Sequence, residues 1–358
     1  SRFDYKLLQA PYHPPASAVS KRRMSLLYSD DLMPCGYYDP DILAGLIRSW
    51  SDLYEMIEPD MLIAQAAPTA VLAAREHKFK TIMFGGGYDT PAKASPMPPL
   101  RYWEKQDAEE LKRREAEALD VINTALKKLK RPKLKNYAQA LDVDLRFLTT
   151  FEELDHYPNR EEIEGQKSEY LGGMFSVDKG ERMSWNKGAK KRIFAYIRPD
   201  SGGFKPCIEA LAKISNTSDI IIAAPGMPEA VRQQVEKPHI RIVNGSVNLS
   251  SILDECDLGI CHASQGIAYA FAIHGVPQLL LPSHIEQFMC AKAVGRQKLG
   301  RGVVGKFGPD KIIELVKVLL QDPQYTQAAK AFAEKYKKFK PVKIADRLSD
   351  EILDLLKV

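Results

Sequence analysis

The second half of the chain alternates short apolar runs with longer stretches of helical spacing. Six runs are apolar or β-branched on both faces, and they cover residues 192–197, 219–224, 239–243, 257–261, 277–281 and 302–304. Stretches of helix-like length lie between them, at residues 204–215, 228–235 and 265–273. Strands that are apolar on both faces and alternate with helices form a parallel sheet covered on two sides. The pattern therefore predicts a doubly wound α/β domain with six strands.

The first half has the same pattern in a shorter form. Four runs read as strands, at residues 6–9, 60–64, 81–84 and 145–149. Helical spacing covers residues 40–57, 68–77 and 102–129. A doubly wound domain usually opens with a strand, a glycine-bearing turn and a helix. No such unit is recognisable at the front, so we predict a second Rossmann-like domain that is incomplete on its N-terminal side.

Length and composition fit two such domains. At about 150 residues per domain, a chain of 358 residues corresponds to roughly two. The segment 176–191 is polar and contains several lysines and two glycines, which favours an exposed linker. We predict an N-terminal domain at 1–175, this linker, a C-terminal domain at 192–340, and a terminal segment at 341–358 that contains a last helix.

Charge and cysteine content argue against several classes of function. Subtracting 46 acidic from 51 basic residues leaves a net charge of +5, which is too small to favour nucleic acid as a partner. The five cysteines form no Cys-x-x-Cys pair, so neither a zinc site nor a disulfide framework is indicated. No run approaches the roughly 20 apolar residues of a membrane helix, and no signal peptide is visible. We therefore expect a cytoplasmic protein without an integral membrane segment.

The residues after the predicted strand at 257–261 carry the clearest binding chemistry. His262 ends the strand, and Ser264 and Gly266 stand where the next helix starts. Serine is a favourable N-cap residue, and glycine lets a ligand approach the backbone. The unpaired N–H groups and the positive dipole end of a helix N-terminus bind anions. Because ligands of open α/β sheets bind at the carboxyl ends of strands, we predict a phosphate site here.

A second set of polar residues follows the next predicted strand, at 277–281. Pro282 ends this strand, and Glu286 and Gln287 begin another helix. An acid and an amide side by side can accept and donate hydrogen bonds to adjacent sugar hydroxyls. We expect the first turn of this helix to face the same crevice as the phosphate site.

Together these pieces resemble the donor-binding stretch of inverting, nucleotide-sugar-dependent glycosyltransferases of the GT-B fold, family 1. Those enzymes have a turn with histidine and glycine, a Gly-Val-Pro, and a proline followed by Asp/Glu-Gln. This chain carries the pieces in the same order, as His262 with Gly266, residues 275–277, and Pro282 with Glu286 and Gln287. The similarity is greatest to the bacterial macrolide-glycosyltransferase-like branch, and it extends to residues 8–11 and 153–157.

The resemblance implies two facing Rossmann-like domains and the transfer of a sugar from a nucleoside-diphosphate sugar to a hydroxyl-bearing small-molecule acceptor. It assigns the donor diphosphate to His262, Ser264, Gln265 and Gly266. It assigns the donor sugar to Glu286 and Gln287. The nucleotide base would lie against the loop 244–248 through Asn244 and Val247, and the diphosphate crevice would include Ser201 and Gly202.

The same resemblance bears on cofactors and on the last helix. Family members need no metal and no other cofactor, because the sugar nucleotide is a co-substrate, here expected to be a UDP- or dTDP-sugar. The helix predicted at 346–356 would be the one that crosses back to the first domain.

The catalytic base is the part of the family pattern that this chain lacks. Family members use a histidine in the loop after their first strand, often oriented by an aspartate, and Gln65 stands at the position of that aspartate. Glutamine can hold a hydrogen bond but cannot stabilise an imidazolium as a carboxylate does. No sequence signal places His13, Asp155 or His156 beside an acceptor. We therefore assign no catalytic residue.

Three other functions compete with this interpretation. A non-catalytic relative that binds a nucleotide or a partner protein is favoured by Gln65 and by the short front. A sugar-nucleotide epimerase of the same two-domain fold usually has several acids in its crevice. A nicotinamide dehydrogenase would have Gly-x-Gly-x-x-Gly after a strand, and the glycine run at 85–87 leads instead into a proline-rich segment. That segment could border an acceptor cleft.

Overall fold

The computed structural model describes residues 5–14, 24–188 and 190–356, and the chain divides into two compact units. Unit 1 comprises Ser1–Leu148, Asn159–Tyr170 and Ser349–Val358, and unit 2 comprises Thr149–Pro158 and Leu171–Leu348. Residues 149–158 and 171–175, predicted as part of the N-terminal domain, thus group with unit 2. None of the helices in the described ranges combines the length and hydropathy needed to cross a membrane.

Unit 1 is built on a parallel sheet with the strand order β1-β2-β3. The strands are β1 (Met61–Ala64), β2 (Lys80–Gly85) and β3 (Leu145–Leu148). The α-helices described in this unit are α1 (Tyr28–Leu32), α2 (Pro40–Ile57), α3 (Pro68–Ala74), α4 (Ala108–Lys128) and α5 (Arg160–Glu164). Short 3₁₀ helices lie at Met33–Cys35 and Tyr137–Leu141.

Unit 2 is a six-stranded parallel sheet with the strand order β6-β5-β4-β7-β8-β9. The strands are β4 (Lys191–Tyr196), β5 (Ser218–Ala223), β6 (Ile240–Val243), β7 (Leu258–Cys261), β8 (Gln278–Leu280) and β9 (Gly300–Gly302). The helices are α6 (Phe204–Ile214), α7 (Glu229–Val235), α8 (Gln265–Ile273), α9 (Ile285–Arg296), α10 (Pro309–Gln321) and α11 (Pro323–Lys335). A last helix, α12 (Lys343–Leu356), begins in unit 2, and its residues from Ser349 onward group with unit 1. Short 3₁₀ helices lie at Glu152–Leu154, Leu249–Ser251 and Leu253–Glu255.

The sheet of unit 2 is covered on both faces, as continuous apolar strands require. All six residues of β5 are buried. Neighbouring residues of β4 point to opposite faces, so that Ile193 packs in the layer that contains Leu211 and Leu315, and Phe194 in the layer that contains Phe271. The first layer contains α6 and α10, and the second contains α8 and α11. The predicted doubly wound α/β class is therefore confirmed.

Helix starts in unit 1 follow the local sequence. Asp39 precedes α2, its carboxylate accepts a hydrogen bond from the Asp41 N–H at 2.7 Å, and Pro40 occupies the first helical position. Asp107 caps α4 in the same way, through the Glu109 N–H at 2.9 Å. This cap explains why α4 begins at Ala108, six residues after the predicted start at 102.

Two strand predictions need correction. Residues 6–9 form no strand, because Leu7 is 83% exposed and this run pairs with no sheet within the described part of the chain. The last strand spans Gly300–Gly302 rather than 302–304. Here the backbone approaches β8 so closely that a Cβ at Gly300 would lie 2.0 Å from the Gln278 carbonyl oxygen. Only glycine fits such a contact, and an apolar pattern cannot register it.

The segment 176–191, predicted as an exposed linker, runs along unit 2 through its described residues. Most of its side chains are exposed, but its backbone is bonded along unit 2 rather than left free. The Glu181 N–H donates to the Ser246 carbonyl at 2.8 Å, and the Asn248 N–H donates to the Glu181 carbonyl at 2.8 Å. Trp185 is 9% exposed, and its indole N–H donates to the Ile252 carbonyl at 2.9 Å. Polar composition predicted the exposure, but backbone pairing with a distant loop leaves no composition signal.

Candidate functional site

The site begins where the direction of strand addition reverses in the sheet of unit 2. β4 lies between β5 and β7, which pair with it in parallel on opposite sides. Tyr196 is in register with Cys261, so the residues that follow these two strands emerge side by side. The crevice beyond the carboxyl ends of such diverging strands is where open α/β sheets bind ligands.

His262 follows β7 in this crevice and is nearly enclosed. The residue is 8% exposed, and its ring lies 5.5 Å from the ring of Tyr196 between centroids. Its Nδ1 is buried and makes no hydrogen bond of ordinary geometry with any described residue. Burial lowers the pKa of His262, the Tyr196 backbone partly opposes this shift, and the Arg198 charge lowers the pKa further. The imidazole is therefore held as a neutral hydrogen-bonding group near neutral pH.

The start of α8 is open to an anion. Ala263 adopts a left-handed backbone, with φ of 65°, and Ser264 is the N-cap residue. The sequence predicted that Ser264 would cap the helix, but its hydroxyl accepts no hydrogen bond from the first turn. The N–H groups of the first turn, which includes Gln265 and Gly266, are therefore left to solvent or to a ligand.

A cavity of about 380 Å³ adjoins the start of α8. Three residues predicted to bind the donor line it, namely Ser264, Gly266 and Val247. Part of its wall comes from the segment after residue 173, through Phe175 and Lys179. That segment carried no functional signal in the sequence. The volume of this cavity lies within the range of about 300–1,000 Å³ that is usual for small-molecule sites.

The turn before α6 contributes accessible backbone to the same end of the sheet. Gly203 is the N-cap residue of α6 and brings no side chain to its first turn. A Cβ at Gly202 would meet no atom within 4 Å, so this backbone is accessible. The hydroxyl of Ser201 donates to the Arg198 carbonyl at 2.8 Å, and Arg198 pairs with Asp200 through two bonds of 3.1 Å.

The two residues predicted to contact the nucleotide base lie in different surroundings. Val247 lines the cavity, whereas the Asn244 amide is occupied elsewhere. Its Oδ1 accepts a hydrogen bond from the Gly226 N–H at 2.8 Å. Asn244 thus ties the ends of β5 and β6 together instead of facing the cavity.

Glu286 and Gln287 start α9, as predicted, but they differ in availability. Gln287 is 7% exposed, and its Oε1 accepts a hydrogen bond from the Ser283 N–H at 2.8 Å. The Glu286 carboxylate is partly exposed, with Oε2 3.9 Å from His284 Nδ1. Glu286 is therefore the member of the pair with free acceptor capacity. The side-chain oxygen of Gln287 instead holds the turn that precedes the helix.

His156 joins this group, although no sequence signal placed it beside an acceptor. It is fully buried, with its Nε2 3.7 Å from Glu286 Oε1 and 3.4 Å from the Gln265 amide nitrogen. The turn that carries it is anchored by Arg296, which donates to the Asp155 carbonyl at 2.8 Å. His156 thus lies between the first turns of α8 and α9. Its only sequence signal was the resemblance of residues 153–157, which gave no location.

The residues of unit 1 that were considered in connection with a catalytic base, Gln65 and His13, do not lie together. Gln65 follows β1 and is exposed, next to Ala66 with φ of 49°. His13 has its Nε2 3.4 Å from the Tyr38 hydroxyl on the surface. Within the residues that the structure describes, no three His, Cys, Asp or Glu side chains are arranged to hold a metal ion.

Comparison with known proteins shows which proteins this chain is similar to. Residues 208–350 match the family model of the erythromycin biosynthesis protein CIII-like C-terminal domain. The chain is 33% identical over 88 residues to 3-alpha-mycarosylerythronolide B desosaminyl transferase of Saccharopolyspora erythraea. That stretch covers 24% of this chain and 20% of the relative, so the match spans about a fifth of the relative's length.

Solved structures match over nearly the whole chain. The glycotransferase of kitacinnamycin has a TM-score of 0.65 at 15% identity, with 96% of this chain and 85% of that chain covered. The spinosyn rhamnosyltransferase SpnG complexed with thymidine diphosphate has a TM-score of 0.62 at 13% identity, covering 93% of this chain and 80% of that chain. The chain therefore has the GT-B fold of these glycosyltransferases, and its residues 208–350 are similar to the EryCIII-like C-terminal domain, which confirms the resemblance found in the sequence.

Proposed function

We propose that this protein is an inverting glycosyltransferase that moves a sugar from a nucleoside-diphosphate sugar to a hydroxyl of a small-molecule acceptor. The observation that carries the proposal is the crevice beyond β4 and β7, where His262 and an uncapped helix start meet. A leaving diphosphate develops negative charge, and preformed N–H donors stabilise it without reorganisation. The protein family and the structural neighbours support the same class of reaction.

In the proposed reaction, an acceptor oxygen forms a bond to the anomeric carbon while the bond from that carbon to the diphosphate oxygen breaks. The bonding electron pair leaves with the nucleoside diphosphate, which binds at the first turn of α8. Neutral His262 donates a hydrogen bond to a diphosphate oxygen. The sugar hydroxyls bind at the Glu286 carboxylate. The acceptor proton goes to a base that none of the residues described above supplies.

His156 has a positioning role in this scheme. Buried against both Gln265 and Glu286, it fixes the first turn of the diphosphate helix relative to the carboxylate that holds the sugar. A catalytic site gains rate when binding groups are held in their productive arrangement before the substrate arrives. The sugar and the diphosphate would then be aligned by one side chain that touches neither.

The donor and acceptor classes follow from the relatives by analogy. SpnG has been solved with thymidine diphosphate, which supports a dTDP- or UDP-sugar as donor. The desosaminyl transferase is named for an erythronolide acceptor, which supports a hydroxylated polyketide. We expect no metal requirement, because charge on the leaving group is met by the helix start and His262.

Two readouts test the proposed reaction. Wild-type protein is incubated with UDP- or dTDP-hexoses and a panel of macrolide aglycones in the presence of EDTA. We expect acceptor-dependent release of nucleoside diphosphate, and NMR of the product should show inverted anomeric configuration. Release without inversion would contradict the mechanism, and release that depends on added Mg²⁺ would contradict metal independence.

One observation favours a second candidate, a non-catalytic protein that binds a nucleotide or a protein partner. Gln65 lies exposed after β1, where the family often has a carboxylate that orients its base. This candidate predicts selective nucleotide binding with no sugar release for any donor and acceptor pair. The proposed transferase predicts both binding and release.

A further inference from the structure

A second cavity in unit 2, of about 430 Å³, lies between α9, β9 and the start of α11. It shares no lining residue with the cavity beside α8. Phe288 and Tyr325 supply aromatic surface, and four cationic side chains also line it, namely Lys292, Arg296, Lys298 and Arg301. No acidic residue lines it.

Collecting like charges around one cavity is unfavourable unless an anion neutralises them. Arg296 donates a hydrogen bond to the Asp155 carbonyl at 2.8 Å, and the uncompensated charge lies on the two other cations, which follow α9. Lys298 and Arg301 form no ion pair with any acidic group in the described part of the chain. Positive charge is therefore concentrated here without compensation at the positions of Lys298 and Arg301.

The backbone at Lys298 gives a second indication. α9 ends in a Schellman motif, in which the Leu299 N–H donates to the Val294 carbonyl and the Lys298 N–H to the Gly295 carbonyl, both at 3.1 Å. The left-handed position of this motif is usually glycine, yet Lys298 occupies it with φ of 54°. Lys130 holds the same position at the end of α4 with φ of 57°, so the strain at Lys298 supports a function only together with the cavity that this residue lines.

The size and walls of the cavity indicate the kind of anion. Its volume is within the range of small-molecule sites and is much larger than an inorganic phosphate needs. Aromatic side chains beside cationic ones accommodate a molecule with an apolar or aromatic group and a charged end. Arginine and lysine together are suited to phosphate oxygens.

We propose that this cavity binds an organic phosphate, a small molecule with a phosphate group and an apolar or aromatic moiety. The phosphate pairs with Lys298 and Arg301, and the apolar moiety packs against Phe288 and Tyr325. The site is separate from the proposed sugar-nucleotide crevice and does not depend on the proposed reaction.

Phenyl phosphate is a suitable probe, titrated by calorimetry in buffer of fixed ionic strength. All variants are made in a His262→Ala background, so that the crevice beyond β7 does not contribute. The charge variant is Lys298→Gln with Arg301→Gln. Its matched control is Lys187→Gln with Lys237→Gln, which removes the same charge from exposed positions outside the cavity.

We expect saturable binding in the background protein, an affinity about tenfold lower in the charge variant, and no change in the matched control. A steric variant is available at Gly295, because a Cβ there would meet no atom within 4 Å. Gly295→Leu should fold normally, fill the cavity and abolish binding while all four charges remain. Phenyl phosphate should also bind more tightly than inorganic phosphate.

Lys298→Gly separates function from folding. Glycine relieves the left-handed strain, so the variant should be at least as stable to heat as the parent, yet it should bind phenyl phosphate several-fold more weakly. The proposal is overturned if the background protein shows no saturable binding, if both double variants lose affinity equally, or if Gly295→Leu folds and binds like its parent.

Discussion

The two units of this chain differ in where their polar chemistry lies. In unit 2, groups that can bind an anion or a hydroxyl follow neighbouring strands and meet beyond β4, β7 and β8, with His262 and Glu286 as the clearest members. In unit 1, β1 is followed by exposed Gln65, and the Asp31 carboxylate already accepts hydrogen bonds from the Ser25 and Tyr88 hydroxyls. The proposed donor site is thus a local consequence of strand ends and helix starts. Among the described residues of unit 1, no comparable group follows the strands.

The largest expected effect concerns packing around two glycines, one in the sheet of unit 2 and one in a helix of unit 1. Gly300→Ala places a methyl group against the Gln278 carbonyl oxygen, and we expect a loss of about 3 kcal/mol in the free energy of unfolding. The matched control is Gly45→Ala in α2, where a Cβ meets nothing within 4 Å. This control should gain about 0.5–1 kcal/mol from helix propensity. Urea denaturation compares the two, and equal effects would contradict the difference in packing.

The next effect concerns the division of labour within unit 2. Glu286→Ala should lower the affinity for a sugar nucleotide about tenfold, because hydrogen bonds from the sugar to a carboxylate are lost. Affinity for the bare nucleoside diphosphate should change less than twofold, since the first turn of α8 is intact. Calorimetric titration with both ligands measures the ratio. Equal losses for the two ligands would remove the assignment of Glu286 to the sugar.

A smaller effect is expected at His156, which acts through its neighbours. His156→Ala should weaken sugar-nucleotide binding about threefold, because it releases Glu286 and Gln265 from their fixed arrangement. The double variant with Glu286→Ala should bind no more weakly than Glu286→Ala alone. His156→Gln, which keeps a hydrogen-bonding group, should recover part of the loss. Additive losses in the double variant would show that His156 acts independently of Glu286.

The smallest effect is a pH dependence of stability. Burial holds the pKa of His262 below its value in the unfolded chain, so the unfolded state takes up a proton first as the pH falls. This contribution to the free energy of unfolding is therefore complete above the unfolded value and is lost as the pH falls from about 7 towards 5. His262→Gln should lose less stability than the wild type over this range. Parallel curves for the two proteins would mean that the pKa of His262 is not lowered.

Much of unit 2 could be predicted because its signals are local. The apolar run that became β5 is continuous, and each set of polar residues follows its own strand, β7 or β8, within a few positions. The strand predicted at residues 6–9 was wrong, because an apolar run forms a strand only where a neighbouring strand is available to pair with it.

The parts of the site that depend on contacts between distant positions of the chain could not be predicted from the sequence. His156 reaches Gln265 and Glu286 from more than 100 positions away in the chain. The wall formed by Phe175 and Lys179 depends on backbone pairing with the loop near Ser246. Neither contact leaves a periodicity or a spacing in the sequence.

The most direct test of the donor site is calorimetric titration of wild-type protein and His262→Ala with UDP, dTDP and GDP, in buffer that contains EDTA. The account predicts selective binding of UDP or dTDP by the wild type and at least a tenfold weaker affinity in His262→Ala, with unchanged thermal stability near neutral pH as the folding control. Unchanged affinity in a folded His262→Ala variant, or no binding of any of the three nucleotides, would contradict it.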